Sequence, residues 1–128
     1  KNSIDHNGFN GIVFNKKAGL FQNVLARQAI NTALNEEAIL TAAFTSPDYY
    51  ELEHGLMIND QKEWYSEAGK DNYNLNDPEK AKAMLKEAGY NGEEIVILST
   101  RDYEDHYNSA VVVQQQLESI GMKVKLDI

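Results

Sequence analysis

The sequence predicts an α/β fold, a right-handed βαβ unit with further helices packed on it. Three observations lead there. Ile95-Val96-Ile97-Leu98 is a continuous apolar run bounded by turn residues. Ala110, Val113, Leu117 and Ile120 form a helical stripe behind it, and Lys123-Val124-Lys125-Leu126-Asp127-Ile128 then alternates strictly. These read as a strand buried on both faces, an amphipathic helix over 108–120 and a half-buried strand. A strand, a crossover helix and a second strand make a parallel pair with a right-handed crossover. The chain has 128 residues, the size of one α/β domain spanning 1–128.

The other elements follow in chain order. Residues 1–10 are polar and carry an Asn7-Gly8 turn. Gly11-Ile12-Val13-Phe14-Asn15 reads as a short strand, and Lys16 to Gly19 as a turn. Ala26, Ala29, Ile30, Ala33 and Leu34 recur near the 3.6-residue period, so a helix spans 24–34 with Asn23 or Gln22 at its start. Asn35 caps a second helix, with Glu36 and Glu37 at the positive end of its dipole. That helix turns Ile39, Leu40 and Ala43 inward and stops near Thr45-Ser46-Pro47. Residues 45–76 have no clean period. Short helices are expected near 48–53 and 60–68, anchored by Tyr49, Tyr50, Leu52, Leu56, Met57, Trp64 and Tyr65. Asp77 and Pro78 open a helix over 78–88, and Gly89 closes it. After the apolar strand comes a polar loop from Ser99 to Asp105. Asn108 or Ser109 caps the last helix, Gln114, Gln115, Gln116 and Glu118 cover its outside, and Gly121 ends it.

Charge narrows the partners. Twelve Lys and Arg against twenty Asp and Glu leave a net charge of −8. That field repels a nucleic-acid backbone, and Lys16-Lys17 is too small a patch to reverse it. Binding to a membrane surface through basic residues is disfavoured too. No run approaches the length that spans a bilayer. The chain contains no cysteine, which removes disulfides, thiolate metal sites and cysteine nucleophiles together.

Catalytic signals are weak. His6, His54 and His106 are widely separated, and none has ligand spacing. Glu36-Glu37, Glu51 with Glu53, and Glu93-Glu94 read as solvated charge rather than an acid/base pair. No serine elbow and no glycine-rich phosphate loop is present. Neither a metal nor a cofactor is expected. The densest polar and aromatic stretch is Ser99–Tyr107, beyond the carboxyl end of the first strand of the βαβ unit. Ligands of open α/β sheets bind at that end. There Arg101 can hold a carboxylate with two parallel hydrogen bonds, and Tyr103 and Tyr107 offer flat contact with a hydroxyl.

Several segments together resemble one family, the solute-binding proteins (family 5) of bacterial peptide-type ABC importers. They are Gly11-Ile12-Val13-Phe14-Asn15, then Ala26-Arg27-Gln28-Ala29-Ile30-Asn31 and Ala33-Leu34-Asn35-Glu36-Glu37-Ala38-Ile39. Asn76-Asp77-Pro78-Glu79-Lys80-Ala81 with Ala88-Gly89-Tyr90 follows, and Gln114 to Val124 completes the set. The order and spacing match over 11–128. Gly19-Leu20-Phe21 departs from the family's usual Pro-Phe.

The resemblance implies a periplasmic-binding-protein-like (type II) lobe in three layers, with this chain as part of the second lobe. The first lobe and everything after 122–128 would be missing. It implies a protein that captures an oligopeptide or related solute and delivers it to ABC permease subunits. Such proteins act outside the cytoplasm, with membrane attachment only through a lipid anchor beyond this segment. By position, the implied ligand-facing residues are Ser99, Thr100, Arg101, Tyr103 and Tyr107. A small stand-alone α/β hydrolase and a protein-interaction domain using 45–76 are the alternative readings.

Overall fold

The computed structural model describes residues 8–55 and 57–128. His6, Asn7 of the expected first turn and the expected Leu56 anchor lie outside them. Among the described residues the order is α1 (Val24–Ala33), α2 (Glu36–Phe44), α3 (Pro78–Glu87), β1 (Glu94–Leu98), α4 (Glu104–Ser119) and β2 (Lys123–Asp127). Single 3-10 turns occur at Leu20–Gln22, Pro47–Tyr49 and Lys70–Asn72.

The βαβ unit forms. β1 and β2 pair in parallel, from Glu94 opposite Lys123 to Leu98 opposite Asp127. Ile95, Ile97 and Val124 turn toward the helices and join a core with Ile30, Leu34, Leu85, Val113, Leu117 and Met122. Only one face of β1 is covered. Val96 and Leu98 point away and are 49% and 78% exposed, which corrects the expected burial of both faces. The helices pack on one side of the sheet, so alternate side chains stay in solvent.

α1 and α3 run antiparallel. The Asn23 side-chain amide at the start of α1 donates to the Ala88 carbonyl at the end of α3. At the other end, the Asp77 N–H donates to the Thr32 carbonyl at 2.9 Å. Ala26, Ala29 and Ala81 are fully buried, and their small side chains let the two helices approach closely. The expected caps form: Asn23, Asn35 and Asp77 each accept a main-chain N–H of the helix they start. α3 and α4 end alike. Tyr90 and Met122 donate back to Leu85 and Leu117, across Gly89 and Gly121 with φ of 83° and 89°. That left-handed turn closes the last carbonyls, and glycine adopts it without strain.

The corner between α1 and α2 is held by a side chain. Gln116 of α4 accepts the Asn35 N–H at 2.9 Å and donates to the Asn35 carbonyl at 3.2 Å. Gln114 likewise reaches inward, donating to the Val124 carbonyl. The expectation that both glutamines lie on the outer surface is therefore corrected; Gln115 and Glu118 do lie there. A period of 3.6 marks which apolar residues turn inward, but not that an amide will pair with a backbone corner.

Three other expectations change. Gly11–Asn15 takes no regular structure. Phe14 packs on Phe21 at 4.9 Å, while Ile12 and Val13 are exposed. α4 begins at Glu104, four residues before the expected start. Ser109 thus lies inside α4, its hydroxyl buried without a hydrogen-bond partner among the described residues. The expected helices at 48–53 and 60–68 are replaced by the Pro47–Tyr49 turn and a series of loose turns.

Polar contacts hold the 45–76 segment more than aromatic burial does. Trp64 is 67% exposed, and Tyr49 and Met57 are exposed as well. The Tyr50 hydroxyl lies 2.8 Å from the Thr41 hydroxyl, and the Asn74 side chain accepts the Glu36 N–H at 2.9 Å. Tyr73 interacts with the Glu36 side chain and with the Glu53 main chain. Burial raises the Glu36 carboxyl above the ordinary carboxylate value, and the Tyr73 hydrogen bond offsets part of the rise. Burial first, then the bond to Glu36 and its charge, push the Tyr73 hydroxyl above the usual phenol range.

Two outcomes are expected. Gln116→Ala leaves the Asn35 N–H without its acceptor, while the Asn35 carbonyl keeps the Ile39 N–H, and costs about 1–3 kcal/mol, read as a lower denaturant midpoint at constant slope. Gln115→Ala is the neutral control. The second concerns Glu36, whose proton the folded chain holds more tightly than the unfolded chain. Its contribution to stability therefore falls as pH rises through its titration. Glu36→Gln should flatten this slope above about pH 4.5. Equal slopes in the two proteins would contradict the burial of Glu36.

Candidate functional site

The loop after β1 is anchored at both ends by its own first residue. The Ser99 N–H donates to the Asp127 carbonyl at 3.0 Å, one step past the β1–β2 register. The Ser99 hydroxyl donates to the His106 carbonyl in the first turn of α4 at 3.2 Å. One residue thus joins β1, β2 and α4. The Thr100 hydroxyl accepts the Asp102 N–H at 3.1 Å and tightens the loop. Both hydroxyls expected to meet ligand therefore also carry hydrogen bonds inside the loop.

The three larger side chains sit differently. The Arg101 guanidinium lies over the Tyr107 ring, 5.2 Å from its centroid. Such stacking orients a guanidinium while its N–H fork stays free to bind. Tyr103 is 62% exposed, and its ring stands 5.3 Å from that of His106. Arg101 and Tyr107 thus form one cluster, and Tyr103 with His106 a second one beside it. His106 is the member absent from the expected site residues. Its signal was the three-residue step from Tyr103, which becomes a shared face only because α4 starts early.

Tyr103 caps α4 without a side-chain bond to the helix. Glu104 and Asp105 fill the first turn, and Asp105 lies 3.7 Å from His106. The loop therefore carries one guanidinium and, in the first turn of α4, two carboxylates, groups that can hold a polar solute by charge and hydrogen bonds. Among the described residues no group of three histidine or acidic side chains is placed to hold a metal ion. No helix of the described residues is long and apolar enough to cross a membrane.

A separate recess of about 300 Å³ lies between α1, α3 and residues 72–75. Gln28, Asn31, Lys80 and Met84 line it, and it shares no residue with the loop. Its polar groups are partly engaged: Asn31 donates to the Asn72 carbonyl and Thr32 to that of Gln28.

Known proteins place this fold. Residues 2–128 match the family described as bacterial extracellular solute-binding proteins, family 5, middle. A probable peptide ABC transporter periplasmic-binding protein of Sinorhizobium fredii, y4tO, is 37% identical over 113 residues. The match covers 83% of this chain and 20% of that protein, so the chain spans about a fifth of the relative's length. The structure of AgaA from A. tumefaciens R10, in complex with agropinic acid, superposes with a TM-score of 0.74 at 37% identity. It covers 90% of this chain and 23% of that one. The substrate-binding protein CtaP of Listeria monocytogenes shares the fold at a TM-score of 0.80 and 24% identity, over 89% of this chain and 23% of its own. The match to the family over nearly the whole chain, joined to the parallel βαβ unit, shows that this protein belongs to the bacterial extracellular solute-binding proteins, family 5.

Proposed function

We propose that residues 1–128 form part of the second lobe of a two-lobed binding protein. That protein captures an oligopeptide or a related small solute outside the cytoplasm and passes it to the permease subunits of an ABC importer. Its role is capture rather than catalysis. The observation that carries this reading is the stacked Arg101–Tyr107 pair, with Tyr103 beside it, on the loop beyond the carboxyl end of β1. Ligands of α/β sheets bind at that end. Arg101 holds a solute carboxylate, and Tyr103 and Tyr107 supply flat walls. Ser99 and Thr100 border the cleft while bracing the loop. A carboxylate is common to peptides and to an organic acid of the kind seen with AgaA. Any membrane attachment is through a lipid anchor outside these residues.

The capture reading is supported by what the loop contains. A single wall has a flat, open surface, whereas small-molecule sites bury most of their ligand. The isolated chain should therefore bind di- and tripeptides only weakly in calorimetry, and submicromolar binding would contradict the proposal. In a polypeptide carrying both lobes, Arg101→Gln should weaken binding of a carboxylate-bearing solute roughly 10- to 100-fold, the loss of a charge-assisted pair. An amidated analogue of the same solute should lose nothing further from the substitution. Equal losses for both solutes would remove Arg101 from the carboxylate contact.

A further inference from the structure

His106 is the ring of the Ser99–Tyr107 loop to which the proposed function gives no part. Its main chain is pinned, since its carbonyl accepts the Ser99 hydroxyl at 3.2 Å. Its imidazole is open: the side chain is 53% exposed, and the Asp105 carboxylate lies 3.7 Å from Nε2, beyond hydrogen-bond length. Tyr103 is placed the same way. Its carbonyl accepts the Tyr107 N–H at 3.1 Å, while its side chain makes no capping bond and is exposed. The two rings stand 5.3 Å apart, tilted by 48°. They form an aromatic pair on a fixed main chain, and both members stay open to solvent.

Tyr107 differs. Arg101 covers one face of its ring at 5.2 Å, and the residue is half-buried. The loop therefore offers two unlike places one helical turn apart: a guanidinium that can hold a carboxylate, and an open pair of rings. One turn is about 5.4 Å, a distance that the side chain of a single residue spans from its own carboxylate. Aromatic rings attract a further ring edge-on or offset through their quadrupoles, beyond what burial of the same area gives. An aliphatic group of equal size gains only the burial.

We infer that Tyr103 and His106 form a subsite that selects a solute bearing an aromatic group beside its carboxylate, such as a peptide ending in phenylalanine or tyrosine. The inference rests on the reading of Ser99–Tyr107 as the solute-facing loop, and it adds to that reading a contact, His106, and a preference. Arg101 takes the carboxylate, and the ring of the same terminal residue packs against Tyr103 and His106. The main chain beneath both rings is already held by the Ser99 hydroxyl and the Tyr107 N–H. Little of it has to be ordered when the solute arrives, which lowers the cost of binding.

The test uses the whole 128-residue chain and two dipeptides, glycyl-phenylalanine and glycyl-cyclohexylalanine, whose side chains match in size and differ in aromaticity. Titrations followed by chemical shift should show the aromatic dipeptide binding roughly two- to tenfold tighter, the worth of one aromatic pair. His106→Ala and Tyr103→Ala should each bring the ratio of the two affinities toward one, and His106→Phe, which keeps a ring, should retain it. Equal affinities, with the loop shifting for both dipeptides, would overturn the subsite and leave the carboxylate contact standing. No response of the loop to either dipeptide would remove the cleft reading along with the subsite. A preference that survives both alanine variants would overturn the inference too. The ratio in the natural chain needs no variant, so a folding defect in one of them leaves the test intact.

Discussion

The pairing of the Gln116 amide with the main chain of Asn35 is the constraint on which the rest of the fold depends. Leu34 and Asn35 join the two helices, and the Asn35 N–H and carbonyl face the flank of α4. The Asn35 carbonyl also accepts the Ile39 N–H, whereas its own N–H is held by the Gln116 oxygen, and a part-buried main-chain donor left open is costly. Gln116 closes the corner with the two hydrogen bonds a neighbouring strand would supply. It thereby fixes the α1–α2 pair to α4. α4 in turn covers the sheet on one face and starts at the Ser99–Tyr107 loop. A parallel pair of strands has little stability by itself, so the position of Ser99–Tyr107 depends on α4 being held.

Some elements were readable because local chemistry and tertiary packing agree. Asp77, Pro78 and Gly89 bracket α3, and Ala81 and Leu85 turn inward as their spacing requires. The alternation of Lys123 to Asp127 became a half-buried strand, and Asn35 became the corner. Elsewhere packing decided. Ile95 to Leu98 is apolar throughout, but periodicity does not say how many faces a neighbour covers, and Val96 and Leu98 stay in solvent. Gly11 to Asn15 has strand composition without a strand edge beside it. Trp64 and Tyr49 looked like anchors, but the 45–76 segment is held by Tyr50, Tyr73 and Asn74 through polar contacts. Nothing in the sequence alone pairs Tyr73 with Glu36.

The loop was legible in place but not in detail. Its position after β1 follows from topology, and Arg101, Tyr103 and Tyr107 stand out by residue type. Their grouping depends on where α4 starts. Beginning at Glu104, the helix brings Tyr107 under Arg101 and His106 beside Tyr103. A start at Asn108 would have left all four on a loop. Ser99 and Thr100 show the complementary effect: their small hydroxyls brace the loop that presents the larger groups. Rigid support of this kind lowers the ordering cost of any binding at the loop.

The central claim is that this lobe meets its solute at Ser99–Tyr107. The most direct measurement is chemical-shift mapping of the ¹⁵N-labelled chain as a dipeptide is titrated to millimolar concentration. The account predicts shifts concentrated at Ser99, Arg101, Tyr103 and Tyr107, with the recess between α1 and α3 unchanged. Shifts concentrated instead at Gln28, Asn31 and Lys80, with the loop unmoved, would contradict it.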